Sequence, residues 1–152
     1  MVKRKSLQGD YCPSARSLDV IGDWWSLLIV RDAFDGLTRF GEFRKSLGIA
    51  KNILSDRLRI LTERGILKVV RTPDGGTHQE YHLTAMGRDL FPVMVALRQW
   101  GEQHLFEPGE KHSKLVERDT GQAIRLEVRT EDGRPIAPEG SVILKVPDLD
   151  QP

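Results

Sequence analysis

Five residue types that bind nucleic acid fall on one side of a short leucine stripe. At about 100° per residue, Leu54, Leu58 and Leu61 share one narrow face of a helix. The opposite and N-terminal face carries Lys51, Asn52, Ser55, Asp56 and Arg59. Asn pairs bidentately with adenine and Arg with guanine, while Lys and Ser suit phosphate oxygens. A helix N-terminus beside Lys51 adds free N–H groups for a phosphate. Nine basic residues lie between Arg39 and Arg71, against three acidic ones. The middle of the chain therefore carries a positive field suited to a polyanion. On charge alone, the same pattern is equally a solvated helical face.

Other reactive side chains are few. Cys12 precedes Pro13 at a predicted helix start, with Arg16 one turn on, a setting that favours a thiolate. As the single cysteine it has no internal disulfide partner. Oxidation would give a sulfenic acid, a mixed disulfide or a bond between subunits. The plainer reading is a small buried hydrophobe. Tyr11, Trp24, Trp25 and Phe34 are an aromatic set that suits a small aromatic effector, or simply core. His78 and His82 lie four apart on a predicted strand, about 13 Å end to end, too far to share a metal ion. No phosphate loop, nucleophile elbow or paired-carboxylate motif is present, so neither catalysis nor a cofactor is expected. Asp32 and Asp35 read as helix termination and solvation.

Several elements must position these residues. Cys12-Pro13 opens a first helix that runs to Gly22. Asp23 caps a second, from Trp24 to about Asp35, apolar nearly all round and so expected at the centre of a bundle. A third covers about Phe40 to Leu47, and a fourth runs from Lys51 to about Arg64. The turn between these two is Gly48-Ile49-Ala50. Ile66 to Arg71 and Gln79 to Leu83 are predicted strands around Pro73-Asp74-Gly75-Gly76, with Thr77 and His78 returning. Helix, turn, helix and hairpin in that order make a helix-turn-helix with a β-wing. Thr84 then caps a long helix to about Leu105, which Pro92 should kink or divide. Its stripe includes Met86, Leu90, Val93, Met94, Leu97 and Trp100. From Leu115 the apolar period becomes two, through Ile124, Leu126 and Val128 and again Val142, Leu144 and Val146. Turns at Asp119-Thr120-Gly121 and Asp132-Gly133 complete a predicted antiparallel β appendage over 115–146.

The 152 residues, 39% hydrophobic and 30% charged, bury a core and stay soluble. Net charge is +1, which excludes a basic tail protein or an acidic disordered chain. The charge is asymmetric, +4 over residues 1–105 and −3 beyond. No apolar run is long enough for a bilayer, and no signal-peptide pattern follows the basic start. A cytoplasmic protein without membrane partners is expected.

The order of motifs resembles the HxlR-type winged-helix regulators. The resemblance is carried by Cys12-Pro13, Leu18 to Asp23, Trp25 to Ile29, Arg31-Asp32 and Arg39 to Arg44. It continues through Leu54 to Leu58, Gly65 to Leu67, Glu80 to Thr84, Gly87-Arg88 and Trp100-Gly101, covering about residues 12–105. It implies a transcription regulator that binds a pseudo-palindromic operator as a homodimer, joined through the first and last helices of the domain. It also implies oxidant or electrophile sensing at the Cys12 position, as in many members. Ala50 departs from the capping Ser common there, a cap that contributes about 1 kcal/mol. The tail beyond residue 110 exceeds the minimal domain and lacks the cysteines of some longer relatives.

The expected architecture is mainly α with small β: an arm at 1–10, a winged helix-turn-helix domain at 11–106, and a β extension at 107–152. DNA contacts are expected from Arg39, Arg44, Lys51, Asn52, Ser55, Arg59 and Arg71, with Arg57 bracing the fold or contacting DNA. Arg59→Ala should weaken operator binding and leave the fold intact. Leu90, Met94, Leu97 and Trp100 are expected at a dimer interface. Half-sites would lie about 34 Å apart, or a small multiple. The function expected is a repressor released by an oxidant, an electrophile or a small aromatic ligand. Two rivals are a winged-helix protein-interaction module without DNA binding and a thiol redox enzyme using Cys12.

Overall fold

Proline at the first helical position fixes φ where an N–H would be unpaired in any case. Pro13 starts α1 (Pro13–Ile21) in this way, with Cys12 as an extended N-cap that makes no side-chain cap bond. The computed structural model describes residues 5–73, 76 and 78–144. The Asp23 carboxylate accepts from the Ser26 N–H at 2.9 Å and so caps α2 (Trp24–Phe34). As the all-round apolar pattern predicts, α2 runs through the core: Ile29 and Val30 are fully buried. Asp32 departs from its expected solvation, being 3% exposed. Its Oδ1 accepts from Arg31 Nε and Nη2 at 2.8 and 2.7 Å, an ion pair between neighbours that offsets part of the desolvation.

Helix α3 (Phe40–Leu47) ends at Gly48, whose φ of +60° is the left-handed conformation that closes a helix at little cost to glycine. Three residues later α4 (Lys51–Glu63) begins. The expected turn and both flanking helices are therefore present. At the head of α3, Glu42 reaches back to accept the N–H groups of Thr38 and Arg39, each at 2.9 Å. The Thr38 bond, then the Arg39 bond, hold its carboxyl below the ordinary glutamate range. That stabilisation is fully present above the ordinary range and is lost as pH falls through the lowered folded value. The stability gap between the wild type and Glu42→Ala is thus expected to narrow on acidification in urea titrations. A gap equal at about pH 7 and about pH 3 contradicts this capping role.

Strands β1 (Leu67–Arg71) and β2 (Gln79–Leu83) pair antiparallel, with Leu67 opposite Leu83 and Arg71 opposite Gln79. The Tyr81 N–H donates to the Thr38 carbonyl at 2.7 Å, and Arg39 bridges Glu80, so β2 is fastened to the entry of α3. Asp74, Gly75 and Thr77 of the predicted wing tip lie outside the described residues. Thr84 caps α5 (Ala85–Arg88), accepting from Gly87 N at 3.0 Å and donating to the Gly65 carbonyl at 2.5 Å. A Cβ on Gly87 would meet the Ile66 carbonyl oxygen at 2.2 Å, so only glycine allows this approach. The long helix expected from Thr84 is divided: α6 (Phe91–His104) begins afresh, with Pro92 in its first turn. Ile29, Val30, Phe43, Leu54, Leu58, Leu61 and Leu67 form one cluster, against which Leu90 and Met94 pack half-buried.

The described chain forms two compact units, Met1–Met94 and Val95–Pro152, so the division falls within α6. The second unit holds the predicted antiparallel β appendage in reduced form. Its alternating segments form no strand ladder among the described residues, only single antiparallel bridges at Val116–Ala123 and Arg129–Pro135. Both expected turns are made, with Gly121 and Gly133 at positive φ. A competing bond limits the second ladder. The Leu126 peptide is paired instead with a side chain: Gln99 Nε2 donates to its carbonyl at 3.1 Å and Gln99 Oε1 accepts from its N–H. Val146 lies outside the described residues.

Candidate nucleic-acid interface

Leucines 54, 58 and 61 are completely buried, so α4 is held by one face and presents the other. Lys51, Asn52, Ser55 and Arg59 are all exposed, as the stripe requires. Ala50 is extended and makes no side-chain cap, which leaves the first N–H groups of α4 free beside Lys51. Arg44 and Lys45 occupy the last turn of α3, exposed and without an ion pair among the described residues. Lys51, Lys68 and Arg71 are in the same condition. Partial positive charge at the helix start and uncommitted cations are features that suit phosphate.

Two of the predicted contacts are already engaged. Arg59 pairs with Asp56 at 2.7 Å and with Glu63 at 2.8 Å, both on its own helix. Asp56, then Glu63, raise its pKa further above the ordinary arginine value. Any base contact by Arg59 must give up these bonds, so Arg59→Ala is expected to weaken DNA binding by less than about tenfold. Fluorescence anisotropy checks this, and a loss of about a hundredfold or more contradicts it. Arg39 reaches Glu80 Oε1 at 3.4 Å, and His82 Nε2 lies 3.0 Å from Glu80 Oε2. His82, then Arg39, hold the Glu80 carboxyl below the ordinary range. Arg39 therefore fastens the wing to α3. No local signal could have paired Arg39 with a residue 41 positions away. Arg57 braces the fold, its Nε 3.6 Å from Asp23 Oδ1 at the cap of α2.

The aromatic set does not converge on a pocket. Trp24 contacts Trp25 edge-on at 5.4 Å, and Phe34 contacts Phe91 at 5.5 Å. These pairs lie at opposite ends of α2, about 15 Å apart along its axis. Trp24 is 71% exposed, and Tyr11 is exposed as well. A cavity of about 260 Å³ lies in the second unit instead, lined by residues such as Val95, Arg98, Glu102, His112 and Ile124 and by none of the four aromatics. Cys12 is exposed, so the buried-hydrophobe reading does not hold. Its N–H donates to Asp10 Oδ1 at 2.8 Å, and Arg16 Nε donates to the Asp10 carbonyl. The guanidinium expected near the thiol is thus tied to backbone. Leu97 and Trp100 stand exposed on α6, whereas Leu90 and Met94 belong to the edge of the core of the first unit.

Helix, short turn, exposed second helix and a two-stranded wing define a winged helix-turn-helix DNA-binding domain. Residues 20–108 match the HxlR-like helix-turn-helix family, and the chain belongs to it. This is a family of transcriptional regulators, not of enzymes. The uncharacterized HTH-type transcriptional regulator Rv3095 of Mycobacterium tuberculosis is 42% identical over 107 residues, 70% of this chain and 68% of that protein. The crystal structure of PA1607, a candidate transcription factor, superposes with a TM-score of 0.88 at 58% identity, covering 93% of this chain and 100% of that one. The oxidized form of the redox regulator HypR gives a TM-score of 0.57 at 35% identity, covering 61% of this chain and 97% of that one.

Proposed function

We propose that this protein is a homodimeric repressor that sets α4 in the major groove of each half of a pseudo-palindromic operator. The observation that carries the reading is the exposed, uncapped start of α4, with Lys51, Asn52 and Ser55 on its open face. Arg44 and Arg71 supply phosphate contacts on either side in sequence, from α3 and from the wing. Exposed Leu18 on α1, and Leu97 and Trp100 on α6, support dimer formation through the first and last helices. A dimer of this kind reads half-sites about 34 Å apart, or a small multiple of that spacing. Binding to duplexes whose half-sites are moved by about five base pairs tests it, since half a turn puts the second site on the wrong face of the DNA. Affinity that ignores the spacing contradicts a two-helix reader.

Release of the operator is assigned to Cys12. It is exposed at a helix start, and a structural neighbour at 35% identity is a redox regulator. Only the thiolate reacts with peroxide or an electrophile, and accessibility favours that chemistry. Oxidant is expected to lower the operator affinity of the wild type and leave that of Cys12→Ser unchanged. Equal responses in a gel-shift titration remove Cys12 as the sensor and favour a ligand-operated release.

A further inference from the structure

The side of α4 turned away from its leucines carries more than candidate base contacts. At about 100° per residue, Asn52, Asp56, Arg59 and Glu63 fall within about 60° of one another, opposite Leu54, Leu58 and Leu61. All four are exposed. Two carboxylates therefore lie along the middle of the face proposed to enter the groove, with one cation between them. Arg59 Nη2 donates to Asp56 Oδ1 at 2.7 Å, and Nη1 donates to Glu63 Oε1 and Oε2 at 2.8 and 2.9 Å. The side chains of Arg59, Asp56 and Glu63 are 57%, 49% and 59% exposed, so these pairs add little to stability. The uncommitted cations lie off this line, on α3 (Arg44, Lys45), on β1 (Lys68, Arg71) and, at Lys51, toward the flank of α4.

We propose that Asp56 and Glu63 are specificity-determining residues, which withhold Arg59 from phosphate and so keep α4 from gripping DNA of any sequence. This role rests on the reading of α4 as the helix that enters the operator. Binding without sequence preference comes almost wholly from cations that neutralise phosphates. A free arginine at the middle of α4 would add one such contact on every duplex. Here it must first give up three charge-assisted hydrogen bonds, the strong class of protein hydrogen bond. It would also leave two carboxylates uncompensated beside a polyanion. In the operator complex the middle of α4 faces base edges, while phosphates meet the flanking cations. The restraint therefore weighs more on loose, backbone-led complexes than on the operator complex, where Asn52 reads a base.

Asp56→Asn/Glu63→Gln in the full chain frees Arg59 while keeping side chains of the same size. Fluorescence anisotropy across a salt series reads the effect, on a duplex that the wild type selects from a random library and on its scrambled counterpart. Affinity for the scrambled duplex is expected to rise by about tenfold, and the operator-to-scrambled ratio to fall by about threefold or more. The salt slope on the scrambled duplex should steepen by about one for each chain bound. In an Arg59→Ala background the same two changes should leave that slope as it is, which separates a restraint on Arg59 from plain loss of negative charge. Urea unfolding checks that each variant stays folded, and Asp56→Asn alone should move both readings the same way by less. A slope that steepens equally without Arg59 overturns the restraint. A wild type that selects no duplex overturns the operator reading and the restraint with it, whereas a selective wild type whose ratio holds or rises in the variant overturns the restraint alone.

Discussion

Lys51→Ala combined with Asn52→Ala is expected to abolish specific operator binding while leaving the fold intact. Both side chains are exposed on the open face of α4, outside the hydrophobic cluster, so their removal creates no cavity. A bidentate base contact such as Asn to adenine is worth about 1–3 kcal/mol of discrimination. A dimer presents each residue twice, so the loss at Asn52 alone approaches ~2–6 kcal/mol. Lys51 acts differently. As a phosphate contact beside free helix N–H groups, its removal should weaken binding to all sequences and flatten the salt dependence by about one unit of slope per half-site. The measurement is anisotropy of the double variant on operator and scrambled duplex, with urea unfolding as the control. Retained specificity removes α4 from the major groove.

Phe43→Ala has the largest expected effect on stability. Phe43 is completely buried in α3 and shares a cluster with Leu54, Leu58 and Ile29, from the two helices packed beside it. Truncating a buried phenylalanine costs about 3–5 kcal/mol, through lost burial and the cavity left behind. Natural domains hold only about 5–15 kcal/mol in total. A Tm lower by more than about 10 °C is expected in calorimetry. A change of about 1 kcal/mol or less would mean that α3 and α4 are not held by this cluster. DNA affinity should fall only near the new Tm, which separates this variant from those on the face of α4.

Local signals make the winged helix-turn-helix legible in the sequence. The Gly48 stop, the Asp23 and Thr84 caps and the Pro13 start each act within one turn of chain, and the leucine stripe of α4 within about two. Their consequences therefore follow from neighbouring residues alone. What sequence reasoning missed was set at long range. The Arg39–Glu80 pair joins residues 41 positions apart across the wing, and Asp32, expected in solvent, is buried. The engagement of Arg59 by Asp56 and Glu63 was readable in principle, as charges three and four residues apart on a helix. The β appendage is reduced to single antiparallel bridges for another reason. Alternation specifies two faces but supplies no partner strand, and here a glutamine side chain took the place of one. Similarly, aromatics close in sequence need not meet: α2 separates Trp24 from Phe34 by its own length.

A dimer that reads a specific DNA sequence should select its own operator. The most direct test selects duplexes from a random library with the purified protein, then measures anisotropy on the enriched and scrambled duplexes across a salt series. Expected are an enriched sequence with two related half-sites, binding of two chains per duplex, and a log affinity that falls linearly with log salt. Selection that enriches nothing, with equal and weak binding to every duplex, would contradict the claim and return the domain to a protein-interaction role.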